Sequence, residues 1–513
     1  MRLLVSLLLC CFCLAGWAAA AEKPNIVYIL CDDLGYGDVR CLNPDGKIPT
    51  PSIDRLRSQG IAFTDAHSSS AVCSPTRYGI LTGRYNWRTR LQSGVLGGYS
   101  PPLIEHGRLT VAQMLREQGY HTGAIGKWHL GMTLAKKPGT RGAANEKNVD
   151  WSAPITGGPN AVGFDYFFGI SASLDMAPFV FIENDHFTET PTVTKTWIRP
   201  GIAAKDFEAI NVLPTLAARA QAFIRQNASG AKDGSKPMFL YLALTSPHTP
   251  ILPTPEFAGK SSINPYADFV METDYYIGQV LKTLDGAHLA GNTLVIFASD
   301  NGCSPAANFA ELARHGHNPS YVFRGEKSDI WDGGHHIPFI ARWPDHIKPG
   351  TSSGQLVCLN DFMATAAEIT GLKLPSNAGE DSVSLLAVFL GKDKGPVHDA
   401  VIHHSIDGMF AVRQGPWKLD LCPGSGGWSL PTDRQAVRDH LPPMQLYRMD
   451  SDIGEKTNVY SSHPEVVAHL TRILEDYIRL GRSTPGEVQH NDVPINIHKQ
   501  PKPLPPLEKR IGD

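Results

Sequence analysis

Three apolar runs constrain this chain more than any other feature. Asn25 to Leu30 (NIVYIL), Met238 to Leu244 (MFLYLAL) and Thr293 to Ser299 (TLVIFAS) are short and continuous rather than alternating, the form of strands covered on both faces. Each stops at polar residues: Asp32-Asp33, Thr245-Ser246-Pro247-His248 and Asp300-Asn301. A shorter run, Thr122 to Ile125, leads into Gly126-Lys127-Trp128-His129. Helical segments alternate with these runs. Thr50-Pro51 opens SIDRLRSQ, closed by Gly60, and further helices are expected over Thr110–Gln118, Leu213–Gln226 and Pro265–Leu284. The repeated strand, helix, strand order predicts an α/β fold, with a large, mostly parallel sheet sandwiched by helices. Ligands in such sheets bind beyond the carboxyl ends of the strands, so Asp32, Asp33, Lys127, His129, His248, Asp300 and Asn301 are expected on one rim.

Ile337 to Trp343 reads as a strand returning to this sheet, and a helix from Asn360 to Ile369 closes the large domain. From about Pro396 the texture changes to short strands: Val401–His404, Phe410–Arg413, Trp417–Leu421 and Gln445–Tyr447, followed by a helix over Pro464–Leu480. These pieces predict a small C-terminal α+β domain of antiparallel strands and one helix, over 396–488. The Pro- and Lys-rich segment 489–513 is expected to be an extended tail, and the polar, Gly-rich stretch Gly139–Pro159 a long surface loop near the active face.

At the N-terminus, Arg2, the apolar run Leu3–Trp17 and Ala18 to Ala21 predict a signal peptide over 1–21. A membrane anchor is the competing reading, but small residues end the run and no basic stop-transfer cluster follows. Export is therefore expected, to a periplasm or the medium, or to a lysosome in a eukaryote, with no membrane contact after cleavage. A net charge of -3 leaves no basic excess to neutralise nucleic acid. Cys10, Cys11 and Cys13 leave with the signal, and six cysteines remain at 31, 41, 73, 303, 358 and 422. One or two bridges are compatible with that number, but not a disulfide framework. Asn227-Ala228-Ser229 is a glycosylation sequon, relevant only in a eukaryotic secretory pathway.

The chemistry centres on Cys73-Ser74-Pro75-Thr76-Arg77-Tyr78-Gly79-Ile80-Leu81-Thr82-Gly83-Arg84. Pro75 suits the first turn of a helix, which puts Cys73 at or just before the N-terminus of a short helix running to about Thr82. That electropositive end, with Arg77 one turn along, favours an anion beside a reactive group. Cys73 has three readings: a buried structural cysteine, a thiolate nucleophile, or the precursor of another group. The spacing to Arg77 is too short for a Cys-x5-Arg phosphate loop.

The third reading rests on a resemblance. Cys-x-Pro-x-Arg followed by Leu-Thr-Gly is similar to the signature of the type I sulfatases, formylglycine-dependent enzymes of the alkaline-phosphatase-like superfamily. In that family the cysteine is oxidised by a formylglycine-forming enzyme, and the hydrated aldehyde attacks the sulfur of a sulfate ester. The resemblance makes 22–395 the catalytic domain. It implies one calcium ion held by Asp32, Asp33, Asp300, Asn301 and the modified Cys73, and catalytic roles for Cys73, Arg77, Lys127, His129, His248 and Lys327. His129 is the implied base in intermediate breakdown, and His248, with Lys327, the implied acid for the departing alcohol. The donor set agrees: Asp and Asn offer only oxygen, which suits calcium better than magnesium and disfavours zinc. His335, His336, His403, His404, Trp331 and Asp175 are weaker candidates for contacts to a sugar or aryl group.

The expected function is hydrolysis of sulfate esters, of a sulfated carbohydrate or an aryl sulfate. Two alternatives remain at this stage: a phosphatase or phosphonate monoester hydrolase of the same fold, and a non-catalytic sulfated-glycan-binding protein if Cys73 stays unmodified.

Overall fold

A computed structural model describes residues 23–232 and 236–499; the expected signal peptide and residues 500–513 of the expected tail lie outside them. Its frame is a ten-stranded mixed sheet flanked by helices. Asn25–Asp32 lies at the centre, parallel to Met238–Pro247 on one side and Thr293–Ser299 on the other, with Tyr28 level with Tyr241 and Ile296. Beyond Met238–Pro247, His121–Lys127 and Tyr166–Ile170 continue the parallel run.

The continuous apolar character of NIVYIL follows from this central place. Ile26, Tyr28 and Leu30 enter one core and Val27, Ile29 and Cys31 the other, because successive side chains leave a strand on opposite faces. Helices cover both faces, among them Val212–Lys232 and Pro265–Gly286, which pack together on the second core.

The edges depart from the parallel expectation. Phe339–Arg342 does return to the sheet, but antiparallel, between Thr293–Ser299 and Ile61–Phe63. The connection from Ser299 carries only short helical turns, not the long crossover helix that a parallel return uses. Tyr166–Ile170 and the two-residue strands after it, Ile182–Glu183 and His186–Phe187, have no counterpart in the sequence reading.

The C-terminal strands Val401–His404, Phe410–Gln414, Trp417–Asp420 and Gln445–Arg448 form an antiparallel sheet in sequence order. Helix Pro464–Leu480 buries Leu470 and Leu474 against it, in a core that also takes in Tyr85 and Trp87 just beyond the Cys73 helix. Residues 489–499 have no helix or strand, yet they are pinned rather than loose. Arg84 donates to the His490 carbonyl at 2.8 Å and pairs with Asp492 at 2.9 Å, Arg88 donates to Asn491 Oδ1 at 2.8 Å, and Ile497 is buried. All six described cysteines are free, so no disulfide contributes to the fold within the described residues.

Candidate active site

Cys73 opens a helix that runs to Thr82, every residue of which is buried. Gly83, at φ 62°, ends it, its N–H donating to the Gly79 carbonyl at 2.8 Å. Gly79 faces Asn360 so closely that a Cβ there would come within 2.1 Å of Asn360 Oδ1. Burying this helix whole puts the Arg77 guanidinium under the rim of the sheet. There Nε and Nη2 donate to Asp300 Oδ2 at 3.1 and 2.7 Å, and Nη1 donates to the Lys127 carbonyl at 3.0 Å.

The strand ends converge on this guanidinium. Lys127 Nζ donates to Asp32 Oδ2 at 2.7 Å, and Arg77 Nη2 lies 3.6 Å from Asp32 Oδ1. Lys327 Nζ is 2.7 Å from Asp33 Oδ1, and Asn301 Nδ2 donates to the same oxygen at 2.8 Å. His248 Nε2 lies 3.7 Å from Asp33 Oδ2. One ligand atom from each of Asp32, Asp33, Cys73 and His248 lies within 4.8 Å of the others. Thus the structure gathers Asp32, Asp33, Cys73, Arg77, Lys127, His248, Asp300, Asn301 and Lys327. Arg77, Asp32 and Asp300 are at most 1% exposed, against 8% for His248, 5% for Lys327 and 3% for Cys73; the cluster therefore opens on the Cys73, His248 and Lys327 side.

His129 is buried beside them, at φ 56°. Its Nε2 is 2.6 Å from the Leu96 carbonyl, which only accepts, so Nε2 carries the proton and Nδ1 presents a lone pair that has no partner. Burial and the charges of Lys127 and Arg77 hold this imidazole well below the usual histidine range, in the form that can take a proton.

Charge pairing sets the other ionisation states. Burial pushes the Asp32 carboxyl up, but Lys127, His248, Arg77 and Lys327 together hold it well below the usual carboxylate range. Burial and the neighbouring Asp32 raise Asp300 to about 6, with Arg77 opposing. Against their own burial, Lys127 and Lys327 are held in the charged form chiefly by Asp32 and Asp33 respectively. Burial pushes the Cys73 thiol up to about 11 despite Lys127 and Lys327. Burial thus works against a thiolate here, the opposite of what a nucleophilic cysteine needs.

The polar atoms left without partners fit a hard cation. Asp32 Oδ1 and Asn301 Oδ1 are buried and accept no hydrogen bond. Both are oxygens, and together with Asp33 and Asp300 they make the all-oxygen donor set that calcium uses.

Sequence reasoning missed Ser173, in the loop after Tyr166–Ile170. Lys127 Nζ donates to its Oγ at 3.4 Å, and His248 Nδ1 lies 3.3 Å from it, so it bridges two site residues. The available signal was the aromatic run YFFGI, a strand whose end delivers this serine to the rim. Asp175, two residues on, lies 3.8 Å from Arg199, and its Oδ1 has no hydrogen-bond partner. By contrast, His335, His336, His403, His404 and Trp331 are all at most 3% exposed and packed inside, where they offer no face to a sugar.

Comparison with known proteins identifies the family. The sequence profile of the family described as Sulfatase matches residues 24–372. An N-acetylgalactosamine-6-O-sulfatase of Bacteroides thetaiotaomicron is 34% identical over 504 residues, spanning 89% of this chain and 93% of that protein. Arylsulfatase A of Homo sapiens is 33% identical, spanning 90% of this chain and 89% of its own. A solved structure from work on glycosaminoglycan metabolism by Bacteroides thetaiotaomicron superposes with a TM-score of 0.77 at 32% identity, covering 89% of this chain and 99% of that one. A match across this much of the sheet, the Cys73 helix and the strand-end carboxylates places the chain in the sulfatase family, the hydrolases of sulfate esters.

Proposed function

We propose that this chain hydrolyses the sulfate ester of a sulfated carbohydrate, through a formylglycine made from Cys73 and one calcium ion held by Asp32, Asp33, Asp300, Asn301 and the modified Cys73. The observation that carries this reading is the buried gathering of three carboxylates and three cations around Cys73. Calcium there would polarise a sulfate oxygen. The hydrated aldehyde would supply one hydroxyl to attack sulfur and a second whose deprotonation releases sulfate.

The chain's own residues do the rest. Arg77 orients Asp300 and lends its charge from below, while Lys127 and Lys327 flank the place a sulfate would take. His129, protonated only at Nε2, takes a proton at Nδ1. His248 Nδ1 donates to the Thr249 carbonyl at 2.7 Å, so Nε2 is the atom facing the site. Burial and Lys327 hold His248 below its ordinary range, and an arriving anion reverses that balance, letting Nε2 carry a proton to the departing alcohol.

A carbohydrate substrate is supported by the similarity to an N-acetylgalactosamine-6-O-sulfatase. It makes a 6-O-sulfated amino sugar the first member of any panel. Among the described residues no helix is long and apolar enough to cross a membrane; export with cleavage near Ala21 rests on the sequence of residues 1–21.

The test has two parts. Peptide mass analysis of the Cys73 segment after co-expression with a formylglycine-forming enzyme should find the aldehyde; an unmodified thiol in fully active protein would overturn the nucleophile. Turnover of sulfated mono- and disaccharides should stop with a calcium chelator and return with calcium. Preference for the matching phosphate ester would instead identify a phosphatase, and tight binding without turnover by modified protein a binding function.

A further inference from the structure

A second buried cluster, separate from the sulfate site, joins three parts of the chain. His67 lies on the short strand Ala66–His67 ahead of the serine-rich loop to Cys73, His335 ends the turn Asp332–His335, and His403 lies on Val401–His404 of the C-terminal sheet. All three are 0% exposed, and one ring nitrogen from each lies within 4.8 Å of those of the other two. His67 Nδ1 and His335 Nδ1 are 3.0 Å apart.

The outer nitrogens decide where the protons sit. His67 Nε2 is 2.8 Å from Asp65 Oδ1, His335 Nε2 is 2.9 Å from the Ile330 carbonyl, and His403 Nδ1 is 3.2 Å from the Ser68 carbonyl. Each of those oxygens only accepts, so each outer nitrogen donates. Lys418 Nζ also approaches His335 Nε2, at 3.3 Å, but its three protons have shorter acceptors: the Ile330 carbonyl at 3.0 Å, and Asp332 and Glu455 at 2.7 Å each. In neutral rings, lone pairs therefore remain on His67 Nδ1, His335 Nδ1 and His403 Nε2, and the last of these has no hydrogen-bond partner. Burial, reinforced by neighbouring rings and Lys418, favours the neutral form of His335 and His403. Converging lone pairs in a dry interior repel one another unless a proton or a cation lies between them.

We propose that His67, His335 and His403 bind a divalent d-block cation of the zinc class, at a site distinct from the oxygen-lined one beside Cys73. Imidazole nitrogen selects such ions over calcium. Zinc takes nitrogen ligands at about 2.0–2.1 Å in tetrahedral geometry, which puts ligand atoms about 3.4 Å apart; the closest pair here is already near that. Asp65 behind His67, with carbonyls behind His335 and His403, reproduces the outer acceptors that fix metal-bound histidines. Asp332, Glu455 and Asp420 crowd around the ammonium of Lys418, and both oxygens of Asp420 accept no hydrogen bond, an acid-rich setting that suits a nearby cation. The alternative grouping of Asp65, His67 and His336 is a poorer site. His336 has both ring nitrogens committed, to Asp332 Oδ2 at 3.2 Å and to the Thr64 carbonyl at 3.0 Å.

The cation would clamp the loop that delivers Cys73. Ser68 N–H donates to the His335 carbonyl and Ala71 N–H to the His404 carbonyl, so the segments carrying His335 and His403 are already bonded to that loop.

The test uses the full chain, purified without a metal-affinity step and dialysed against zinc in the presence of excess calcium. One zinc per chain is expected by elemental analysis, cobalt substitution should give the visible absorption of a tetrahedral nitrogen site, and crystals should carry an anomalous zinc peak between the three rings. His403→Gln should abolish the cobalt band, Asp65→Asn should weaken zinc binding by about 10–100-fold, and Asp32→Asn should leave it unchanged. No zinc above background in the wild-type chain overturns the proposal, as does an anomalous peak confined to the Asp32 cluster. If His403→Gln does not fold, the wild-type spectrum and the Asp65→Asn affinity still decide.

Discussion

Replacing Lys127 with methionine separates the cation of the chain from the cation it is proposed to bind. The substitution keeps the length of the stem and deletes the charge that sits 2.7 Å from Asp32 Oδ2. At an effective dielectric constant of about 20, that pair attracts by roughly 6 kcal/mol before desolvation is counted. Deleting one partner of a buried pair costs about 3–5 kcal/mol, because the other charge is left stranded. Arg77, 3.6 Å from the other oxygen, recovers part of this, so about 3 kcal/mol is expected in a chelator. For a chain of this size that corresponds to a fall in Tm of roughly 3 °C. With saturating calcium the deficit should shrink to less than half, since calcium beside Asp32 replaces the missing charge. Turnover should nevertheless stay down by about 10²–10³-fold, because the lysine's contribution to the sulfate's charge is not replaced. Thermal unfolding in chelator and in calcium, alongside kcat, reads all three quantities. An equal Tm deficit in both buffers would refute the coupling between Lys127 and a cation at Asp32.

Three other outcomes are expected. Asp274 accepts from the Ser52 and Ile53 amides at 3.0 and 2.9 Å, holding the start of helix Pro51–Ser58, and burial raises its carboxyl from 3.8 to about 6. A raised carboxyl contributes stability below its unfolded pKa and loses it as pH climbs through the folded value. Wild-type stability should therefore decline by up to about 3 kcal/mol between pH 4 and 7 on this account, and Asp274→Asn should remove that part of the slope; identical slopes in denaturant titrations would count against it. Cys73→Ser should lower turnover by at least about a thousandfold and accumulate sulfated enzyme, visible by intact mass. Gly79→Ala, which pushes a methyl group to 2.1 Å from Asn360 Oδ1, should cost about 1–3 kcal/mol in a denaturant titration, with no change in metal binding by the protein that remains folded.

Much of the frame could be read from the chain because its physics is local. NIVYIL, MFLYLAL and TLVIFAS announce buried strands by themselves, and a carboxylate pair straight after such a strand is conspicuous because its burial demands compensation. Ser173 carries no such mark. It is an ordinary residue after a five-residue strand, Tyr166–Ile170, and its role depends on Lys127 and His248 arriving from other strands. The direction of Phe339–Arg342 also depends on how a long connection returns, which no window of sequence holds. His335, His336, His403 and Trp331 are only weak candidates for recognition in the sequence, because a ring that could contact a sugar serves equally well inside a core. They are packed beside Lys418, which pairs with Asp332 and Glu455, and beside Glu455, which accepts from the Asp332 N–H, partners that come from far along the chain.

The balance of charge at the Cys73 cluster ties the fold to the choice of substrate. Asp32, Asp33 and Asp300 contribute three negative charges and Arg77, Lys127 and Lys327 three positive ones, each cation already within 2.7 Å of a carboxylate oxygen. Such balance is what makes burial tolerable, but it leaves the cations nothing to spare for an anion. The divalent ion proposed here would break the tie, giving the pocket a net charge of two. A sulfate monoester brings one negative charge, and its attack by an ionised oxygen adds a second. The loaded pocket is then matched to the transition state rather than to the resting ester, the condition under which binding energy becomes rate. A phosphate monoester, carrying two charges from the outset, is matched in its ground state and gains less. In the proposed mechanism the carboxylates at the strand ends would thus both hold the cation and keep the chain's own positive charges occupied until it arrives.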